Sequence, residues 1–238
     1  QPRWSAPGDA AITHLALGGG SPSSLLVATT AGVYGSFDEG EHWQQLFDGI
    51  GETARQGTWL APHPAQLGTV FLGTRGGLFM STDHGRQWLP QRTPAAAPDI
   101  IRIEADPEDP ERLYLLTSKG LFLGRWKQGD WKQLLGAVNA QEETGLEVDN
   151  AAEDAETDAL LDFHDLVLEP RTPSTLYVAS SRGLQRSTDR GASWHRLSET
   201  GLDATSIRHA QFQPGKPPAL YAAIAHQVAR YDAERNRW

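Results

Sequence analysis

Histidine, carboxylate and cationic side chains that could move a proton or hold an anion occur in several short apolar stretches. His164 and Asp165 are neighbours, and a histidine beside a carboxylate is the combination found in general acid–base pairs. Arg208 and His209 form a second polar couple, and Arg102 lies between two isoleucines. Such side chains either catalyse a reaction or bind a partner. Which of these roles they have depends on the strands and turns that position them.

The composition excludes several kinds of chemistry. The chain has no Cys, which removes disulfides, thiolate metal sites and cysteine nucleophiles. The net charge is −9, but ten acidic residues and no Lys or Arg lie between 139 and 165, so the remainder is nearly neutral. A nucleic-acid-binding protein needs a basic face, and we therefore predict no nucleic-acid partner. No apolar run approaches the ~18 residues of a membrane span.

An octamer with Ser, Asp, Gly and Trp at fixed offsets divides the chain into units. It reads SFDEGEHW at residues 36–43, STDHGRQW at 81–88 and STDRGASW at 187–194. Degenerate copies end at Trp131 and Trp238, so the last tryptophan recurs every 43 to 45 residues except for one interval of 63. A fixed period of this length indicates a repeat architecture.

Each unit contains short apolar stretches in the same order. In the second unit, TVFLGT and GLFMS flank a glycine turn, and the octamer leads into a further stretch that begins at Trp88. Runs of four to seven residues rich in Val, Leu, Tyr, Phe and Thr are typical of β-strands. Four antiparallel strands in about 45 residues make one propeller blade. We therefore predict an all-β fold, with residues 1–238 forming a single β-propeller of five four-stranded blades. A β-sandwich is the alternative, although it gives no reason for this period.

Closure of the ring is left open by the repeat pattern. The fifth unit ends at Trp238, where its fourth strand would begin, and the N-terminal PRWS is similar to the C-terminal NRW. This similarity favours residues 3–6 as an N-terminal strand that completes the last blade. The alternative is an incomplete propeller whose missing blades lie in removed sequence or in a partner. A first residue of Gln rather than Met is consistent with a processed, exported product.

The octamer predicts a structural turn rather than a catalytic centre. Its Asp can accept backbone N–H groups, its Gly permits a positive φ, and its Trp fills the wedge between adjacent blades. We assign this role to the matched residues of the three well-kept copies, which are Ser36, Asp38, Gly40, Trp43, Ser81, Asp83, Gly85, Trp88, Ser187, Asp189, Gly191 and Trp194.

The octamer pattern resembles the Asp box of BNR repeats. That motif occurs in sialidases, sortilin-type receptors, xyloglucanases, and photosystem II assembly and stability factor-like propellers. The text TVFLGTRGGLFMSTDHGRQW is most similar to the last two groups. Resemblance to the assembly factors implies a non-catalytic, extracytoplasmic scaffold without cofactors. Such a scaffold would bind a protein partner and help to assemble or stabilise a larger, membrane-associated complex.

Resemblance to the enzymes of this group implies the alternative function, a carbohydrate-binding or glycoside-hydrolase-related propeller. A sialidase uses an arginine triad, a tyrosine nucleophile and acidic residues. Here Tyr114, Tyr177 and Tyr221 occupy matched strand positions that indicate core packing. We therefore predict that the chain is not an enzyme and assign no catalytic residue.

The glycine turns and the links between blades share one face of a propeller. Three of these turns carry a cation, which predicts a partial basic crescent for an anionic or C-terminal carboxylate group. Ordinary solvated turn residues are the alternative. Together with polar residues of the first strands, these cations make up the predicted partner-binding set: Arg75, Lys119, Arg182, Arg102, His164, Asp165, Arg208 and His209.

An acidic insertion at residues 139–162 accounts for the long interval between the third and fourth units. It is predicted to emerge on the same face as the glycine turns. Three roles are open: a solvated loop, a lid that pairs with the turn cations, or an arm that contacts the partner. The insertion lacks the D-x-D-x-D-G spacing of a calcium loop, so we predict no metal site.

Overall fold

The computed structural model describes residues 4–18, 24–49, 51–94, 99–136, 162–202, 206–215, 218–233 and 235–238. The predicted acidic arm lies outside these residues except for Asp162, so its three roles stay predictions. The described part contains a single four-residue helix, α1 (Glu52–Arg55). None of its helices is long and apolar enough to cross a membrane.

The rest of the regular structure is β-strand. The strands are β1 (Ile12–Gly18), β2 (Ser24–Thr29), β3 (Gly32–Ser36), β4 (Gln44–Phe47), β5 (Gly57–Pro62), β6 (Val70–Thr74), β7 (Gly77–Ser81), β8 (Leu89–Gln91), β9 (Ile100–Ala105), β10 (Arg112–Thr117), β11 (Gly120–Arg125), β12 (Lys132–Gly136), β13 (Phe163–Leu168), β14 (Leu176–Ser180), β15 (Gly183–Ser187), β16 (His195–Arg196), β17 (His209–Gln213), β18 (Ala219–Ile224) and β19 (Gln227–Arg230).

Consecutive strands pair into five antiparallel sheets, one for each sequence unit. Blades one to four are four-stranded, and blade five consists of the three described strands β17, β18 and β19. The second strands of blades two to four are almost fully buried, because both faces of these sheets are covered by neighbouring blades. The five-bladed, all-β propeller fold is thus confirmed.

The blades pack one after another through four apolar clusters. One cluster joins blades one and two, a second joins two and three, a third joins three and four, and the last joins four and five. The innermost strands pack in the order β1, β5, β9, β13 and β17. No cluster of the described residues joins blade five back to blade one, so the blades form an open arc.

The N-terminal segment does not complete the last blade in the described residues, in contrast to the prediction for residues 3–6. Residues 4–6 have no strand structure. The Trp4 ring stacks on Trp43 at 4.8 Å between centroids and lies 5.2 Å from Tyr34. Trp4 therefore covers blade one, where offset packing of aromatic rings on Trp43 and Tyr34 stabilises it.

The octamer turns at residues 36–43, 81–88 and 187–194 share one hydrogen-bond pattern. In the last of them, the Ser187 hydroxyl donates to Asp189 Oδ1 at 2.7 Å and accepts the Gly191 N–H at 2.7 Å. Asp189 Oδ1 also accepts the Ser193 N–H at 2.9 Å. The residue before the glycine has a positive φ as well, at 61° in Arg190. This geometry is needed for the tight fold-back that places the tryptophan against the preceding blade.

The octamer tryptophans of blades three to five donate a hydrogen bond to a carbonyl in, or just after, the outer strand of the blade before them. Trp131 Nε1 donates to the carbonyl of Arg92 at 2.9 Å, and Trp194 Nε1 donates to that of Leu134 at 3.1 Å. Trp238 Nε1 donates to the carbonyl of Ser198 at 3.0 Å. The turns that end at Trp131, Trp194 and Trp238 thus link two blades, and these include the degenerate third and fifth copies.

Candidate functional site

One position of the innermost strand recurs in all five blades, and its side chains form a continuous row that we call the inner-strand ladder. Strand pairing places each of them opposite the penultimate residue of the second strand. Every inner strand except β17 has a register shift just before the ladder residue. This shift turns the side chain of that residue towards the central axis around which the blades are arranged. The ladder, in blade order, is His14, Trp59, Arg102, Asp165 and His209.

Each member of the ladder contacts the next one. The His14 and Trp59 rings lie 3.7 Å apart, and the Arg102 guanidinium lies 4.2 Å from the Trp59 ring centroid. Arg102 Nη1 donates to Asp165 Oδ1 at 2.5 Å, and His209 Nδ1 lies 2.6 Å from Asp165 Oδ2. A cation–π contact and a charge-assisted hydrogen bond therefore connect blades two, three and four.

Asp165 is the centre of the ladder. It is 2% exposed, and its Oδ2 also accepts the backbone N–H of Ala210 at 2.9 Å. A buried carboxylate is costly unless it is paired, and here Arg102, His209 and two backbone N–H groups, those of Leu166 and Ala210, satisfy it. Asp165 thus ties blades three and five to blade four.

Glu104 provides a second carboxylate to the same arginine. Its Oε1 lies 2.8 Å from Arg102 Nη2 and 2.9 Å from Arg102 Nε. Burial raises the pKa of Glu104, and the nearby Arg102 charge only partly opposes that shift. Arg102 therefore holds two carboxylates from adjacent blades.

His14 at the open end of the ladder is held in its neutral form. Burial, followed by the positive charge of Arg102, lowers its pKa from 6.5 to about 4. Its Nδ1 accepts the Leu60 N–H at 3.2 Å, which requires an unprotonated nitrogen.

His164 and Asp165 do not form the acid–base pair that their adjacency suggested. His164 Nδ1 lies 2.7 Å from the carbonyl of Ile207, and its Nε2 lies 3.2 Å from Asp162 Oδ2. His164 is the unpaired residue at the register shift between Phe163 and Asp165, and its ring bonds blade five at Ile207, so it lies outside the ladder while Asp165 lies within it. The histidine that reaches Asp165 is His209, from the next blade.

The turn cations are not at equivalent positions, in contrast to the matched crescent expected from the sequence. Each of these turns has two residues between its strands. Lys119 and Arg182 are the second of the two, whereas Arg75 is the first and Gly76 fills the second place. In blade five the second place belongs to His226. Lys119 and Arg75 are exposed, as is Arg208 on the same face.

A second repeated turn was missed in the sequence. The residue that ends the second strand donates its hydroxyl to a carbonyl three residues on, as from Thr29 to Gly32 at 2.9 Å and from Thr74 to Gly77 at 3.0 Å. Thr117 and Ser180 make the same bond. The recurring Thr or Ser before each turn was the available signal. Trp59 was also missed, because only the register shift places it in the ladder, and Glu104 was missed because its pairing with Arg102 is visible only in the structure.

Comparisons with known proteins support the fold. No family model matches the chain, and no curated protein sequence matches it. Among solved structures, the GH74 xyloglucanase from Xanthomonas campestris superposes with a TM-score of 0.66 at 16% identity, over 90% of this chain and 36% of the enzyme. An ancestral GH74 enzyme gives 0.57 at 17% identity, over 95% of this chain and 32% of that one.

An extracellular domain of a two component system from B. thetaiotaomicron also superposes, with a TM-score of 0.66 at 13% identity over 95% of this chain and 29% of that domain. The chain therefore spans about a third of the length of each of these proteins. At such identities the similarity concerns the propeller fold.

Proposed function

We propose that the chain is a non-catalytic propeller that binds an acidic segment of a protein partner outside the cytoplasm. The state of the inner-strand carboxylates carries this proposal. The five inner strands contain two carboxylates, Glu104 and Asp165, and both are bound to Arg102. Neither is free to activate water, whereas the exposed groups at this face include Arg75, Lys119 and Arg208.

A ladder whose charges are paired, with exposed cations on the same face, suits recognition of an anion. Both neighbours of the Trp59 ring are ladder side chains, so this tryptophan supports Arg102 rather than presenting a free stacking surface. Exposed Arg and Lys side chains contribute mainly to the rate and specificity with which an acidic partner is bound. A role in the assembly or stabilisation of a membrane-associated complex, as the resemblance to assembly factors implies, is the biological setting we propose.

Co-purification tests this function. The tagged chain, recovered from the extracytoplasmic fraction of its host at low ionic strength, is expected to carry a stoichiometric protein partner. The triple variant R75E/K119E/R208E should lose that partner. The matched control is R171E, because Arg171 is an exposed arginine on the opposite face, between β13 and β14. Equal recovery of the partner with both variants would reject the proposed face.

A glycoside-hydrolase-related function is the second candidate. Two observations favour it: Glu104 has a raised pKa beside the second carboxylate, and the fold is that of GH74 enzymes. Hydrolysis of a glycosidic bond uses one protonated and one ionised carboxyl group. Release of reducing ends from xyloglucan by the purified chain, abolished in E104Q and D165N, would support this candidate and reject the non-catalytic proposal.

A further inference from the structure

The interface between blades three and four buries two polar side chains that need a further partner. Tyr114 Oη and Asp106 Oδ2 have no hydrogen-bond partner among the described residues. Tyr114 is 0% exposed and belongs to the apolar cluster that joins these two blades. Asp106 is 1% exposed, and the charge of Arg190 from blade four acts on it. A buried hydroxyl or carboxylate oxygen without a hydrogen bond is costly, so we expect a group that completes the hydrogen bonding of both atoms.

Strand pairing places Tyr114 and Asp106 on the same face of blade three. Tyr114 is paired with Glu104 of the inner strand, and the Asp106 N–H donates to the Arg112 carbonyl at 3.0 Å. The two side chains are therefore diagonal neighbours, a separation that an aromatic side chain can span. Since both oxygens lack a partner in the described part of the chain, no hydrogen bond joins them directly. A small group between the two side chains fits this arrangement.

Blade two has a histidine at the position of Asp106. The turns that follow His63 and Asp106 have the same length. His63 Nδ1 accepts the Ala65 N–H at 3.1 Å, in the same way that Asp106 Oδ1 accepts the Glu108 N–H at 2.9 Å. The two side chains thus occupy equivalent positions, and Asp106 Oδ2 lies on the side where His63 has its second nitrogen.

The second nitrogen of His63 reaches the next blade. His63 Nε2 lies 2.9 Å from the carbonyl oxygen of Pro110 in blade three. The His63 ring lies 6.1 Å from the ring of Phe71, which occupies the position of Tyr114. Both ring nitrogens of His63 are therefore bonded, and Phe71 has no polar atom to satisfy.

We propose that a buried water molecule completes the interface between blades three and four. This water accepts a hydrogen bond from the Tyr114 hydroxyl, and it donates to Asp106 Oδ2 and to the carbonyl of Pro173. Pro173 is the residue of blade four that matches Pro110, because the two turns have the same length. The water takes the place of the imidazole Nε2–H, which the shorter aspartate does not provide. Internal waters typically make about three hydrogen bonds to buried polar groups that lack other partners.

The charges around the site favour a neutral ligand. The Asp106 carboxylate disfavours an anion, and the charges of Arg190 and Arg112 disfavour an added cation; these two cations oppose the increase that burial causes in the pKa of Asp106. Burial, followed by the Asp106 charge, raises the pKa of Tyr114 to about 12, so its hydroxyl keeps the proton that it donates. Because both side chains are at most 1% exposed, a ligand the size of one water molecule fits the site.

The sign of the stability change in Y114F tests the proposal. If a water bridges the two side chains, removal of the hydroxyl leaves that water with one partner fewer, and the equilibrium constant for urea unfolding should increase on the order of 10-fold. If the hydroxyl has no partner, the same substitution removes a buried, unsatisfied group and should stabilise the chain. Y34F is the matched control, because Tyr34 is also buried in a strand but its hydroxyl is not a buried group without a partner. An effect of Y114F no larger than that of Y34F would overturn the proposal.

The double variant D106H/Y114F provides an independent test, because it copies the His63–Phe71 pair of blade two. It should recover most of the stability lost in Y114F, since an imidazole replaces both the carboxylate and the water. A crystal structure of the wild type should show a water oxygen within hydrogen-bond distance of Tyr114 Oη and Asp106 Oδ2, and that of the double variant should show the imidazole at the Pro173 carbonyl. A direct bond between Asp106 and Tyr114 in the wild-type crystal, the absence of this water, or a double variant no more stable than Y114F would each reject the water site.

Discussion

Replacement of Asp165 with alanine removes the centre of the inner-strand ladder and should strongly destabilise the propeller. Four groups lose their partner together: the Arg102 guanidinium, the His209 ring and the backbone N–H groups of Leu166 and Ala210. Arg102 keeps Glu104 as a partner, but its own side chain is only 14% exposed. Removal of one member of a buried ion pair costs about 3 to 5 kcal/mol, and an orphaned buried N–H adds to that cost.

Urea unfolding measures this loss. D165A should lower the midpoint without changing the slope, because the surface exposed on unfolding stays the same. D162N is the control: Asp162 is the neighbouring carboxylate that is 76% exposed, and surface substitutions change stability by about 0.5 kcal/mol or less. The double variant R102M/D165A should be more stable than the sum of the single losses predicts, since the unpaired charge is gone.

The reasoning has a clear point of failure. If D165A loses no more than D162N, the ladder does not stabilise the fold and its contacts are incidental. If the single losses of R102M and D165A simply add in the double variant, the two side chains are not coupled, and the account of Asp165 as the link between blades three, four and five is wrong.

Three further outcomes follow from the geometry. Hydrogen bonds, led by the His42 N–H for Asp38 and by the Ser193 hydroxyl for Asp189, hold the pKa values of these two carboxylates at about 2. On acidification both carboxylates are protonated in the unfolded chain before they are protonated in the folded one. Thermal stability should therefore fall as the pH drops from about 4 to 2, and it should fall less steeply in D38N/D189N. Burial holds the pKa of His14 at about 4, so below pH 6.5 this histidine is protonated in the unfolded chain but not in the folded one. The melting temperature should therefore decrease between pH 6.5 and 4, and H14N should reduce the dependence of the melting temperature on pH. S187A leaves the Gly191 N–H without its acceptor and should cost about 1 to 3 kcal/mol in urea unfolding, whereas S193A, which removes an exposed hydroxyl, should cost much less.

The repeat pattern was sufficient to predict the blades but not how the arc ends. Octamers and glycine turns are local features, so their period could be read from the chain with Trp43, Trp88 and Trp194 as markers. Whether Trp4 pairs with blade five or stacks on blade one depends on competition between two distant surfaces. Sequence similarity between the termini favoured one outcome, and aromatic packing on Trp43 produced the other.

The candidate site was predicted only in part, for a similar reason. Arg102, Asp165 and His209 were singled out as polar residues in apolar strands, and the structure brings these three together. Trp59 and Glu104 were missed, because an aromatic or acidic residue in a strand gives no local sign of its neighbours. A register shift of one residue decides which side chains face the channel, and sequence spacing alone does not fix that register.

The five described blades make a one-dimensional array, since each one packs only on its neighbours in sequence. Blades two to four are held by an interface on each side, whereas blades one and five are held by one. The free energy needed to open a blade therefore rises from the ends towards the middle, as in solenoid repeats. Amide hydrogens of β17, β18 and β19 should exchange first and those of β10 last. Unfolding would then have a direction along the chain, which a closed ring does not have.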